Sequence, residues 1–362
     1  MFQPRPFAAC AVVGALLLFN VSAYADSPRP EMQAQQSPAT SPLIEHYADQ
    51  QQQRQIVQPL NNAPVWSEVR AGAPQTTTVP GRETNVLIQP EGQTWRTLHN
   101  SIVSPLSGWS VVFMVIVIAA LYKWKGTMPL HEPSTGRRIR RFNRWHMAIH
   151  WTTAWAFVAL AISGIVIGFG KNVLLPIIGY TAFSWLTILA KNVHNFIGPL
   201  FFICTLLLLG TFVRDNMWRR YDWTWMRHFG GLVSKHDVPS GKFNAGEKVW
   251  FWAGVLVFGL IVSASGFVLD FPNFNQTRST MQIANIVHLG VASLFMIAAL
   301  GHIYMGTLGM AGAYEAMTSG YVDETWAKEH HLYWYTDVKA GKDSTAPDDV
   351  SAPAAPMPAI TR

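Results

Sequence analysis

The sequence predicts an all-α membrane protein, a four-helix transmembrane bundle plus one extra N-terminal transmembrane helix. Three observations predict it. Of the 362 residues, 49% are hydrophobic and 13% charged, against about 25% charge in an ordinary soluble chain. Five apolar runs each approach the roughly 20 residues that cross a bilayer, and lipid leaves a backbone only the helix or the closed barrel to satisfy its own polar groups. The basic residues stand in blocks beside alternate ends of those runs, as topology signals do, so the net charge of +6 does not argue for nucleic acid.

In chain order, residues 1–25 read as a signal peptide: Arg5, an apolar run from Phe7 to Phe19, then Ala23-Tyr24-Ala25 before Asp26. Residues 26–105, rich in Gln, Pro, Ser and Thr, read as an extended or partly disordered export-side arm. Trp66 and Trp95 in that arm are candidate anchors onto a partner. The extra helix occupies 106–125, with Val111 to Leu121 as its apolar centre. The four-helix core occupies 137–312, with spans near His146–Phe169, Leu186–Val213, Val249–Leu269 and Ile283–Met310. Residues 313–362 form a tail that ends in a Pro/Ala-rich stretch.

The loops set the orientation. Lys123, Lys125, Arg137, Arg138, Arg140, Arg141 and Arg144 lie between the first and second spans. Arg214, Arg219, Arg220, Arg227, Lys235 and Lys242 lie between the third and fourth. Both loops are expected on the cytoplasmic side of a bacterial inner membrane. The loop Gly170–Trp185, with Lys171, and the loop Asp270–Gln282, with Arg278, are expected outside. A cleaved signal peptide puts the mature N-terminus in the periplasm and gives the same answer, with the C-terminus cytoplasmic. The two cysteines, Cys10 and Cys204, exclude a disulfide scaffold and cannot hold an iron–sulfur cluster, so any cluster in the system belongs to a partner.

Of 12 histidines, five stand in or at the edges of spans: His146, His150, His194, His288 and His302. Ionisable groups are costly there and mark function, although one alone would suit a helix–helix hydrogen bond. His288 and His302 are 14 residues apart, which is about 21 Å along a helix axis and within roughly 40° around it. Depth pairs His150 with His302 towards the inner face and His194 with His288 towards the outer. Two stacked histidine pairs suit two haems, each iron gripped on both faces, an arrangement that favours electron transfer over ligand activation. His146, one turn before His150, competes as a ligand or stands at the headgroup level or beside a propionate. Gly164 and Gly168 form a small-xxx-small pair, and Gly198, Gly290 and Gly301 lie near the candidate ligands. These glycines let a helix or a flat macrocycle approach. Arg141 or Arg144 could pair with propionates.

Arg144-Trp145-His146-Met147-Ala148-Ile149-His150-Trp151-Thr152, with Ser163-Gly164 beyond, resembles the first haem helix of the respiratory formate dehydrogenase gamma subunit, a membrane di-haem cytochrome b. Val193-His194 leading to Phe212-Val213-Arg214 is similar to its second helix. Lys242-Phe243-Asn244-Ala245-Gly246-Glu247-Lys248 is similar to the loop that opens its third. His288 and then Gly301-His302-Ile303-Tyr304-Met305 are similar to its fourth, and Trp326-Ala327-Lys328-Glu329-His330-His331 with Trp334-Tyr335 to its cytoplasmic tail. The resemblance spans about residues 137–340. It implies two b haems and an iron–sulfur beta subunit that feeds the outer haem at His194 and His288. It also implies formate oxidation on a partner alpha subunit with a molybdenum or tungsten pterin, and quinone reduction beside His302, Asn244 and Gly246. Asn244 offers an amide donor for a quinone carbonyl, Gly246 permits close backbone approach, and Asn244 with Glu247 also reads as a helix capping box. The first span and the arm depart from the family core.

The rival readings are a cytochrome b subunit of a hydrogenase or another respiratory oxidoreductase, a histidine-based transporter, and a plain membrane anchor. A transporter would call for inward acidic partners, and no span has a central Asp or Glu. An anchor leaves the histidine pattern without a use.

Overall fold

The computed structural model describes residues 91–228, 230 and 238–343, together with residues 49, 52–53, 56–57, 63–71 and 83. The chain divides into two compact units, residues 1–76 and 77–362. In the first, Ala63–Arg70 is a helix with Trp66 exposed, where the sequence reading expects an extended arm. The signal-peptide segment and the Pro/Ala-rich end lie outside the described residues.

In the second unit the elements run α1 (Gly92–Lys125), β1 (Arg138–Arg140), α2 (Arg144–Val173), α3 (Leu175–Phe212), α4 (Arg220–Arg227), α5 (Ala245–Asp270), α6 (Arg278–Gly309), α7 (Ala313–Thr318), β2 (Tyr321–Asp323), α8 (Glu324–His330) and α9 (Leu332–Lys339). Helices α1, α2, α3, α5 and α6 are long and apolar enough to cross a membrane, as the five apolar runs predict. Their N-termini carry the expected chemistry. Asn143 accepts from the His146 amide at 2.8 Å, Asn244 from the Glu247 amide at 2.9 Å, and Thr277 from the Thr280 amide at 3.1 Å, each satisfying an otherwise orphaned donor of a first turn.

Two boundaries differ from the sequence reading. The helix of the first span starts at Gly92, so residues 92–105 are helical and not part of an arm. The segment read as the loop Gly170–Trp185 is helix on both sides of Leu174. Pro176 lies in the first turn of α3, where proline is tolerated, and Gly179 adopts φ 75° inside the helix. With ψ 171° as well, Gly179 is non-helical, so α3 is two helices that meet at a kink there, and the chain does break within the segment read as a loop.

Helices α2 and α3 pack along each other, α5 packs against both α6 and α3, and α1 lies on α6. Around Phe295 of α6, Phe157, Phe201 and Phe258 close at ring distances of 4.8, 6.1 and 6.2 Å. Helix α1 is peripheral. Trp109, Phe113 and Trp124 are exposed, while Met114 meets Gly301 and Gly108 faces the Phe169 ring. Trp95 donates to the Gln282 carbonyl at 3.2 Å, and Glu83 pairs with Arg278 at 2.8 Å. Trp95, half-buried, is thus tied by its indole N–H to the start of α6. At Gly301 the neighbour is α1, with the Met114 methyl 3.6 Å from where a Cβ would stand.

One end of the bundle carries a polar cap, the ribbon end. Strands β1 and β2 pair antiparallel there, with Ile139 opposite Val322, a short addition to an otherwise helical fold. Buried Arg141 donates to the Lys242 carbonyl at 2.6 Å and to Glu247 at 3.1 Å, and its guanidinium lies 5.0 Å from the Trp326 ring. The Arg137 side chain pairs with Glu324 at 2.6 Å. Arg137 and Arg141, read from sequence as topology signals, therefore also hold the cap together. Arg141 is buried and engaged with Glu247 and the Lys242 carbonyl, whereas Arg144 is exposed at the start of α2. His331 is fully buried beside the Gly241 carbonyl at 2.7 Å, and burial, with Arg141 nearby, lowers its pKa to about 3. It therefore stays neutral in the fold. Below about pH 6.5 the unfolded chain binds a proton that the folded cap excludes, and the cap loses stability as the pH falls.

Lys248 of α5 and Asp222 of α4 pair at 2.7 Å with side-chain exposures of 2% and 0%. Removing one partner strands the other charge in a dry site. Asp222→Ala is expected to destabilise the ribbon end by about 3–5 kcal/mol, and Asp222→Ala with Lys248→Met by less. Thermal unfolding of the detergent-solubilised variants measures both; equal losses would show that the pair is solvated.

Candidate functional site

The spacing of 14 residues places His288 and His302 on one face of α6, and the fold brings a second histidine to each. The rings of His150 and His302 stand 6.2 Å apart at 61°, and those of His194 and His288 stand 6.0 Å apart at 76°. The first pair lies towards the ribbon end and the second towards the far end. Phe295, seven residues from each α6 histidine, sits between the two levels. The four sequence-predicted histidines are thus brought together as the two pairs that depth suggests.

His146 is not brought to His302. Its amide and ring close the cap with Asn143, and the ring packs against Phe212 at 5.0 Å and Phe142 at 5.9 Å. Its place is at the helix start, apart from the pair of His150 and His302.

The groups behind the rings differ between levels. At the far end, the Nδ1 atom of His194 is 2.9 Å from the Ser163 hydroxyl, and that of His288 is 3.1 Å from the Ser265 hydroxyl and 3.0 Å from the Val262 carbonyl. At the ribbon end, the Nδ1 atom of His150 is buried with no hydrogen-bond partner among the described residues. His302 is instead stacked on Trp250, with ring centres 4.8 Å apart and planes at 11°. Trp250 opens a π-helical stretch of α5, Trp250–Phe258, and a second one, Met305–Gly309, follows His302. Local widening of this kind recurs at functional sites. Sequence reasoning missed Trp250, Phe295 and Ser265. Residue type alone gave no signal for the two aromatics among so many, but Ser265-Gly266 repeats the Ser163-Gly164 dipeptide and could have been noticed.

Residues 141–320 match the family model of the prokaryotic cytochrome b561. They form a membrane cytochrome b bundle. The chain is similar to the formate dehydrogenase cytochrome b556(fdo) subunit of Escherichia coli K12, 29% identical over 201 residues that make up 54% of this chain and 92% of that one. It is similar to the nitrate-inducible formate dehydrogenase cytochrome b556(Fdn) subunit of the same strain, 28% identical over 218 residues, 57% of this chain and 94% of that one. It is also similar to the formate dehydrogenase cytochrome b556 subunit of Haemophilus influenzae, 26% identical over 217 residues, 57% of this chain and 86% of that one.

A cytochrome b implies haem b, and the residues of this cytochrome fit it. Metal–imidazole bonds are about 2.0–2.1 Å, with about 1 Å more from nitrogen to ring centre, so two imidazoles on one metal stand about 6 Å apart. Both pairs stand at that separation. A Cβ added at Gly198 or Gly290 meets nothing of the chain within 4 Å, as the side of a flat ligand requires. Gly164 instead faces the His194 ring, where a Cβ would lie 3.3 Å from Cε1. His150→Ala is expected to remove only the part of the haem absorbance that belongs to the His150–His302 pair. His146→Ala is expected to keep all of it and to lower stability only slightly, because the Asn143 cap on the His146 amide is retained and only a 3.5 Å bond to the ring and its packing are lost. Haem spectra and melting curves of the two purified variants separate these roles; the reverse pattern would make His146 the ligand.

Proposed function

We propose that this cytochrome is the electron-carrying membrane subunit of a formate dehydrogenase, with one b haem between His194 and His288 and a second between His150 and His302. The observation that supports the reading most is the pair of facing imidazole pairs at two depths of one bundle, a geometry that neither a bare anchor nor a transporter requires. Bound haem supplies one-electron chemistry. The four histidines would hold the iron from both sides, an arrangement suited to electron transfer and not to substrate binding, and Phe295 with its aromatic neighbours fills the space between the two levels.

The ribbon end is cytoplasmic in this reading. The basic residues of the loops around β1 and α4 gather there, as the positive-inside rule demands, and the far end with the His194–His288 pair is periplasmic. An iron–sulfur partner subunit delivers electrons at the far end. Formate oxidation belongs to a further partner with a molybdenum or tungsten pterin. Quinone takes the electrons at the ribbon end, beside His302, Asn244 and Gly246. The side-chain oxygen of Asn244 is committed to the Glu247 amide, which leaves its NH2 group as the donor for a quinone carbonyl. Gly246 also serves packing, since a Cβ there would come within 2.8 Å of the Trp225 ring. Helix α1 adds a peripheral membrane anchor to this core.

The purified complex with its partner subunits tests the reading. Formate added without oxygen is expected to reduce the cytochrome, and added quinone to reoxidise it. In a His288→Ala complex, formate should still reduce a soluble dye at the partner while quinone reduction is lost. A cytochrome that another donor such as hydrogen reduces, and formate does not, would move the chain to a different respiratory oxidoreductase.

A further inference from the structure

Two dipeptides on different helices stand in the same relation to two histidines. Ser163-Gly164 of α2 backs His194 of α3, and Ser265-Gly266 of α5 backs His288 of α6. The Ser163 hydroxyl donates to the carbonyl of Ala159 at 2.7 Å, with Leu160 at 3.2 Å. The Ser265 hydroxyl donates to the carbonyl of Ile261 at 2.7 Å, with Val262 at 3.2 Å. Each serine has one proton, and in both cases the backbone takes it. Its oxygen is left as an acceptor for the ring 2.9 or 3.1 Å away. At His288 the Val262 carbonyl, 3.0 Å from the same Nδ1 atom, can only accept. Nδ1 therefore carries the proton in both rings, and Nε2 presents its lone pair. The following glycine fixes the other edge of the ring. A Cβ at Gly164 or at Gly266 would lie 3.3 Å from the Cε1 atom of His194 or His288, respectively. The helix pairs α2–α3 and α5–α6 thus carry two copies of one ring-holding device, both at the far level. At the ribbon level, the Nδ1 atom of His150 has no hydrogen-bond partner among the described residues, and the His302 ring is held by its stack on Trp250.

We propose that Ser163 and Ser265 are positioning residues that fix the tautomer and the angle of His194 and His288, and that they make the far-end haem the lower in potential of the two. The inference rests on the reading that each histidine pair holds a haem. A histidine that donates its outer N–H to an acceptor is a more basic ligand, and a more basic ligand favours the oxidised metal. Axial ligands and their hydrogen bonds are among the levers that set haem potential. The far pair has this support on both rings, and the ribbon pair lacks it on His150. Without such an acceptor the far rings would also be free to turn, because the glycine edge restrains only one side of each.

Redox titration of the purified complex, followed by haem absorbance, tests the proposal. The wild type is expected to titrate in two waves. In Ser163→Ala and in Ser265→Ala the lower wave should move up and the upper wave should stay. Selective loss of the lower-wave haem in either variant also supports the proposal, because the ring is then no longer held for ligation. Since the two serines lie on different helices, either variant serves if the other does not assemble. Fully loaded variants with both waves unmoved would overturn the inference, as would a shift confined to the upper wave or a wild type whose two haems titrate as one. Haem content separates this failure from the other: a wild type that lacks haem would overturn the reading of the histidine pairs and not merely the role of the serines.

Discussion

Lipid offers no water to an imidazole, and the rest of the structure follows from that constraint. A histidine inside a membrane bundle must find a hydrogen-bond partner, pair with a charge or bind a metal. Here two nitrogens of the far-end rings are met by Ser163 and by Ser265 with the Val262 carbonyl. Those of the opposed ring edges face each other across about the distance that one metal ion fills. The small residues beside the rings and the aromatic filling between the levels serve the same end, which is to hold two pairs of rings facing each other.

The ribbon end shows how the cap and the site are joined. Arg141, Glu247, and Trp326 with His331 come from three stretches of sequence, and the structure brings them together. Glu247 closes the first turn of α5, and Trp250, three residues on, lies over His302. The cap therefore fixes the start of the helix whose ring covers the ribbon-end histidine. The resemblance quoted for the Asn-Ala-Gly loop and for the Trp-Ala-Lys tail thus falls on one physical unit. The buried pair of Lys248 and Asp222 ties α4 to the same turn.

Much of this was legible in the sequence. Five spans follow from runs of apolar residues, because length and hydropathy are what a bilayer selects. The pairing of His288 and His302 on one face follows from helix geometry alone, and the partners of each follow from depth. The capping box at Asn244 was legible because its chemistry is local. The rest was not, since it depends on contacts between distant segments. Gly179 and Pro176 read as a loop, and the chain does break at Gly179, but helix stands on either side of that kink instead of a longer connection. Trp95 read as a free anchor, and only the fold shows the Gln282 carbonyl beside it. The basic residues before α2 followed the topology rule, but nothing in their order says that Arg141 turns inward to Glu247. Trp250 could not be told from other tryptophans until α5 was placed against α6.

The central claim is that the four histidines form two separate iron sites. Haem extracted from a purified complex and counted against the amount of this chain tests it most directly. The account predicts two b-type haems per chain. One haem or none in a folded, fully assembled preparation would contradict it.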